Sequence, residues 1–185
     1  MSYSINLSGL TKYQKNLKRI QQNKGMFFSL CARELAARLL RKVIKRTPVG
    51  VNPTDRGYDI SEETYDTYWA GYNGGTLRRG WMAKTEKEAE SGGVSDVMAF
   101  VDSLNVEKHS NVYQITVTNP VHYASYVEYG HRQRVGRFVP AIERRLKRSW
   151  VEGQFMLKIS EDELRVQSPA IIQRNIEKWL RQMGV

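Results

Sequence analysis

Apolar positions recur at helical spacing from the start of the chain. Leu10, Tyr13, Leu17 and Ile20 predict a helix over 10–22, and Gly25 reads as a break. Phe27, Leu30, Cys31, Leu35, Leu39 and Ile44, with Phe28, Ala36, Leu40 and Val43 beside them, form a broad apolar stripe. That stripe predicts a second helix from Met26 to Arg46, about 30 Å long at 1.5 Å per residue. It should stop at Thr47-Pro48, because a residue before proline is pushed out of the helical region.

Periodicity then lapses. The stretch 51–74 is rich in glycine and carries Tyr58, Tyr65, Tyr68, Trp69 and Tyr72, which predicts a long loop held by contacts outside its own segment. Order resumes at Gly75-Thr76-Leu77-Arg78-Arg79-Gly80-Trp81. The acidic stretch 84–95, with its Gly and Ser, reads as mobile surface. Phe100, Leu104 and Val106 alternate and predict a strand within 98–107. Lys108-His109-Ser110-Asn111 is its turn, and Tyr113, Ile115 and Val117 alternate with polar residues in a returning antiparallel strand over 112–118.

Asn119-Pro120 ends that strand and reads as the N-cap and first residue of a helix over 121–129. On this helix Tyr123, Tyr126 and Val127 share one face at i, i+3 and i+4, and they are predicted core. Tyr129 and Glu128 fall off that face and are predicted interface residues; Gly130 is placed to close the helix. Pro140 should open a short helix carrying Ile142 and Leu146. Phe155–Ile159 looks extended. Ser160-Glu161-Asp162-Glu163 has the form of a capping box, and Ser168-Pro169 offers a second start for a last helix over 169–182. These elements predict one α+β domain over 1–185, a small antiparallel sheet packed against a long N-terminal helix and a C-terminal helix.

Charge divides the chain into blocks. Residues 8–46 hold 11 Lys or Arg against Glu34 alone. Residues 51–110 hold 6 basic against 11 acidic residues, and 132–149 hold 7 basic residues against Glu143. Such asymmetry points to nucleic acid nearby or to complementary contacts between subunits. For the first block a solvated helix face is the simpler reading. For the arm 132–148 a grip on phosphate and a contact with acidic neighbours weigh about equally.

Chemistry is sparse in the sequence. Cys31 is the only cysteine, set among Leu30, Ala32, Leu35 and Ala36, which suits a buried small hydrophobe; it can form no intrachain disulfide and no thiolate zinc site. His109, His122 and His131 lack the spacing of a zinc protease. No nucleophile elbow, P-loop or dinucleotide fingerprint occurs. Glu128, the one acid among the tyrosines, reads as a cap or an interface ion pair before it reads as a general acid. No catalytic, cofactor or metal site is therefore expected. No segment approaches the run of about twenty apolar residues that spans a bilayer. The start MSYSINLSGL has neither the charged nor the apolar region of a signal peptide, so cytoplasmic synthesis is expected.

The ordered set of motifs resembles the tail-completion, or head–tail joining, family of long-tailed bacteriophages. Thr47-Pro48-Val49-Gly50 matches its first motif. Gly75-Thr76-Leu77-Arg78-Arg79-Gly80-Trp81 is similar to its second, with Gly and Thr in reversed order. Asn119-Pro120, Tyr123-Ala124, Val127-Glu128 and Tyr129-Gly130 match its third. Trp150–Leu157 and the helix after it resemble the C-terminal part of one branch. Two departures stand out: about twenty-five residues separate Gly50 from Gly75, and 132–149 is long.

The resemblance implies a non-enzymatic virion protein in the tail or neck, assembled in the host cytoplasm. It implies a homo-oligomeric ring, six-fold, between the head connector or adaptor and the tail terminator or tube, with packaged DNA as a further candidate contact and no membrane. Tyr65, Tyr68, Trp69, Arg78, Arg79, Glu128, Tyr129, Arg132, Arg134 and Arg137 are the expected interface residues. The competing reading is a basic nucleic-acid-binding protein of phage origin, supported by charge alone. A phage nuclease is a weaker third, lacking clustered carboxylates for a metal.

Overall fold

The computed structural model describes residues 8–93 and 95–184; the expectation for the first residues, 1–7, falls outside them. The architecture is α+β. Helix α1 (Ser8–Arg46) runs unbroken for 39 residues, about 58 Å at 1.5 Å per residue. Gly25 does not break it, since one glycine costs a helix only about 1 kcal/mol relative to alanine, and packing on both sides of it holds the helix straight on. Helix α7 (Met156–Met183) lies against α1. Phe27 stacks on Trp179 with ring centroids 4.4 Å apart, Asn16 Nδ2 donates to the Gly184 carbonyl at 2.9 Å, and Lys42 and Arg46 both pair with Glu163.

Between these helices lie short elements: α2 (Glu62–Tyr68), α3 (Thr76–Gly80), α4 (Glu86–Ser91), α5 (Val97–Ser103), the hairpin β1 (Glu107–His109) and β2 (Val112–Gln114), and α6 (Ala124–Tyr129). Then come β3 (Gly130–Arg132), β4 (Phe138–Val139), a 3-10 turn (Pro140–Ile142), β5 (Arg144–Arg145) and β6 (Trp150–Glu152). The core gathers Ala37, Leu40 and Val43 of α1, Leu77 and Trp81 around α3, Ala89 of α4, Phe100 and Val101 of α5, Val121, and Met156 at the start of α7. Burying each large apolar side chain of this set contributes about 1.5–3 kcal/mol.

Several local expectations are corrected. Residues 97–103 are helical where a strand over 98–107 was expected. Val97, Phe100, Val101 and Leu104 stand at i, i+3, i+4 and i+7, and the Asp96 carboxylate caps the helix by accepting from Met98 N at 2.9 Å. The return strand pairs only over 112–114, although partial burial keeps alternating through Ile115 and Val117. Residues 84–95, read as mobile, include α4, whose Ala89 is fully buried. Helix α7 begins at Met156, so Phe155–Ile159 is not extended, and neither Ser160 nor Ser168 is an N-cap. Ser160 Oγ donates to the Met156 carbonyl one turn back at 2.7 Å. Pro169 sits inside the helix and offers no N–H to the Arg165 carbonyl; Ser168 Oγ donates to that oxygen instead, at 3.1 Å. The turn at Pro140 forms, but Leu146 lies outside it.

Candidate functional site

The three motifs that carry the family pattern meet at one point. Thr47 is fully buried at the end of α1. Its carbonyl accepts from Arg78 Nε at 3.1 Å and Nη2 at 2.7 Å. Its hydroxyl accepts from Trp81 Nε1 at 2.7 Å and donates to the Val43 carbonyl at 2.7 Å. Asn119 closes the node: Nδ2 donates to the Leu77 carbonyl at 2.8 Å, and Oδ1 accepts from Val121 N at 3.2 Å. A Cβ on Gly80 would run into Asn119 Oδ1, which accounts for glycine there. Asn119 is thus a turn former and motif tie, not the cap of α6, whose N-cap position is Tyr123 without a side-chain bond. Arg79 is also committed within the chain, donating to the carbonyls of Ala89 and Gly74 at 2.7 and 2.9 Å. Arg78 and Arg79, expected at an interface, each tie carbonyls of other segments to α3 within the chain.

A second tie lies at the end of α6. Glu128 is buried, 5% exposed. Its carboxylate accepts from Leu157 N and Lys158 N, both at 3.0 Å, and so caps the N-terminus of α7, where backbone amides and the helix dipole favour a negative group. Gln154 N and Phe155 N donate to the Val127 and Glu128 carbonyls at 2.8 and 3.0 Å. Of the two readings the sequence left for Glu128, the cap is the one seen. Tyr126 is corrected from core to surface: it is 58% exposed, since α6 turns Ala124 and Val127 toward the core, beside Tyr123, and Tyr126 away from it. Burial pushes the Tyr123 phenol above its ordinary pKa. Tyr129 is exposed.

Beyond α6 the chain forms a two-stranded ribbon over 130–152. At its root Gly130 faces Glu152 and Arg132 faces Trp150. Toward its tip Phe138 faces Arg145 and Val139 faces Arg144. Extending the root register would set Phe138 against Arg144, so one residue slips in between, near the turn at Gly136. Arg132, Arg134, Arg137, Arg144, Arg145, Lys147 and Arg148 are all exposed, and among the described residues none forms an ion pair. Val135 and Phe138 are exposed beside them.

The ribbon tip is fastened to α2. Trp69 Nε1 donates to the Ala141 carbonyl, and the Ser61 hydroxyl and amide donate to the Glu143 carboxylate. Those bonds hold the Glu143 carboxyl below its ordinary pKa. The Arg144 guanidinium lies over the Tyr58 ring, 5.9 Å from its centroid. The two departures from the family pattern, 51–74 and 132–149, are therefore one platform. The loop is not structureless: it contains a 3-10 turn (Thr54–Arg56) and α2, capped by Ser61. Trp69 is half-buried on the ribbon, while Tyr65 and Tyr68 remain exposed.

The profile of the HK97-gp10-like family, described as "Bacteriophage HK97-gp10, putative tail-component", matches residues 11–130. The chain belongs to this family. No curated protein and no solved structure matches the chain. The HK97-gp10-like match covers α1 through α6 and takes in the whole Thr47–Arg78–Trp81–Asn119 node. It ends at Gly130, where the ribbon begins. The protein is accordingly a phage tail-component structural protein, and its place is the virion.

Among the described residues no group of three or more His, Cys, Asp or Glu side chains is arranged to hold a metal ion. No helix among the described residues is long and apolar enough to cross a membrane. Cys31 is buried, and burial raises its thiol pKa, as its apolar setting suggested. The node and the cap of α7 were missed in the sequence because each joins residues at least 29 positions apart. The signal available was the motif set itself, in which Thr47, Arg78, Trp81 and Asn119 all stand.

Proposed function

We propose that this tail component is a tail-completion protein, a homo-oligomeric ring at the joint between the head connector and the tail tube. The observation that carries the reading is the family match over 11–130, which includes the motif node. The surface supports a ring. A ring subunit needs two different patches that complement each other, so that each copy offers one and receives the other. The α2–ribbon platform carries unpaired charges of both signs: Glu62, Glu63 and Asp66 on α2 and the Arg-rich ribbon beside it. Exposed Tyr65, Tyr68 and Tyr129 add aromatic contact area of the kind that anchors interfaces. Six-fold symmetry and docking onto the connector and tube belong to the same proposal.

The test is loss of the protein from its phage, followed by electron microscopy of the lysate. Filled heads beside free, full-length tails are expected. Complete virions without the protein, or heads that fail to fill, overturn the joining role. Sedimentation of the purified protein should show a discrete particle of about six 21.4 kDa subunits.

A second reading draws on the same ribbon. A two-stranded ribbon fits the DNA major groove, and seven unpaired cations would grip phosphate. The acidic α2 fastened to its tip opposes that reading, since it repels a uniformly negative ligand. Salt-dependent binding of a short DNA duplex, abolished by Arg132→Ser/Arg134→Ser/Arg137→Ser, is the result that favours it.

A further inference from the structure

We propose that the basic ribbon of one copy docks on the acidic outer face of α2 in the next copy, so that the two segments outside the usual family pattern build the contact between subunits. The inference rests on the ring reading and deepens it. Within one protomer the ribbon tip meets α2 through the Trp69–Ala141 bond and through Glu143, which accepts from Ser61 and Thr64. Those bonds fix the two flanks side by side without pairing their charges. Glu62, Glu63 and Asp66 are exposed and form no ion pair among the described residues, and the same holds for Arg134, Arg137 and Arg148.

A platform with an acidic flank, an internal seam and a basic flank repeats naturally: a copy set beside it brings opposite charges together and leaves the same pattern for the next. The ribbon is fit for this because both its ends are held. The Glu128 cap fixes its root to α7, and Trp69 fixes its tip to α2, so little conformational freedom is lost on docking. Exposed Phe138 and Val135 on the ribbon and Tyr65 and Tyr68 on α2 supply apolar contact within the charged surfaces. DNA fits the basic flank alone and is repelled by the other.

Charge reversal tests this in the full chain. One variant carries Arg134→Glu, Arg137→Glu and Arg148→Glu; the other carries Glu62→Lys, Glu63→Lys and Asp66→Lys. All six sites are exposed, so both variants should melt like the wild type, which circular dichroism checks. Particle mass is read by sedimentation across a salt series. Each variant alone should stay monomeric at concentrations where the wild type assembles, and the wild-type particle should weaken as salt rises. An equimolar mixture of the two should assemble again, because each reversed flank then meets its complement. The single reversals Arg137→Glu and Glu63→Lys should shift assembly the same way by less. Wild-type assembly by either triple variant overturns the proposed contact and leaves the ring reading standing. So does a mixture that stays monomeric while both variants are folded. A wild type that remains monomeric throughout overturns both readings. A ribbon variant that assembles normally but no longer binds a DNA duplex gives the ribbon to DNA and ends the proposal.

Discussion

The carbonyl of Thr47 accepts two hydrogen bonds from the guanidinium of Arg78, across 31 positions of sequence. That contact sets the turn after α1 against α3 and orients Trp81 toward the Thr47 hydroxyl. Because the Thr47 side chain is fully buried, water cannot replace these donors at little cost.

Arg78→Ala should therefore destabilise the fold by about 2–3 kcal/mol, the range for a charge-assisted bond removed from a buried acceptor. Arg78→Lys should recover only part, since an ammonium cannot present two parallel donors. Trp81→Phe, which keeps the ring and deletes one N–H, should cost about 1 kcal/mol. Urea unfolding measures all three, and an Arg78→Ala protein as stable as the wild type would remove the node from the framework.

Glu128 and Tyr126 should behave opposite to what helical spacing suggests. Glu128→Ala leaves two amides at the α7 N-terminus without an acceptor and should cost about 2–3 kcal/mol. Hydrogen exchange should show Leu157 and Lys158 losing protection before the rest of α7. Tyr126→Ala, at an exposed site, should stay within about 0.5 kcal/mol of the wild type. Equal losses for both variants would contradict the burial described.

Gly130 and Gly57 both have positive φ, at 82° and 75°, but differ in surroundings. Gly57→Ala has nothing within 4 Å of its new Cβ and should lose only the left-handed backbone cost, about 1–2 kcal/mol. Gly130→Ala would place its Cβ 2.5 Å from the Val151 carbonyl oxygen. It should be clearly the more destabilising, because the ribbon root must open to admit it. Thermal melts of the pair decide the order.

Glu163 ties α7 to α1 through Lys42 and Arg46, and the Lys42 hydrogen bond with the nearby Arg46 charge holds its carboxyl below the ordinary range. The group binds fewer protons folded than unfolded. Its contribution is therefore present above the unfolded pKa, about 4.3, and is lost as pH falls through the lower folded value. The melting temperature of the wild type should exceed that of Glu163→Gln near neutral pH, and the gap should close between about pH 5 and 3. A gap that is constant across that range would show that the pair contributes nothing through its charge. High salt should narrow the gap as well, since the carboxylate is partly exposed.

The sequence by itself determined that 10–22 and 26–46 are helical with a stop before Thr47-Pro48, that a strand returns from 112, the short α6 with Gly130 at its close, the burial of Cys31 and the α+β class. Each rests on a local rule: apolar spacing, the restriction before proline, the freedom of glycine. Local rules failed where distant groups supplied what a neighbour usually does. The amides opening α7 are capped by Glu128, 29 positions upstream of Leu157, so a capping box at Ser160 was not needed. Helix α1 continues past Gly25 because Phe27 stacks on Trp179 from the far end of the chain. Residues 97–103 carried both a strand-like alternation and a helical spacing, and the Asp96 cap with burial of Phe100 and Val101 favoured the helix. Tertiary structure alone decided that 51–74 and 132–149 are one platform: an Arg-rich ribbon and an acidic helix have no shared period, and the Trp69–Ala141 bond joining them spans 72 positions.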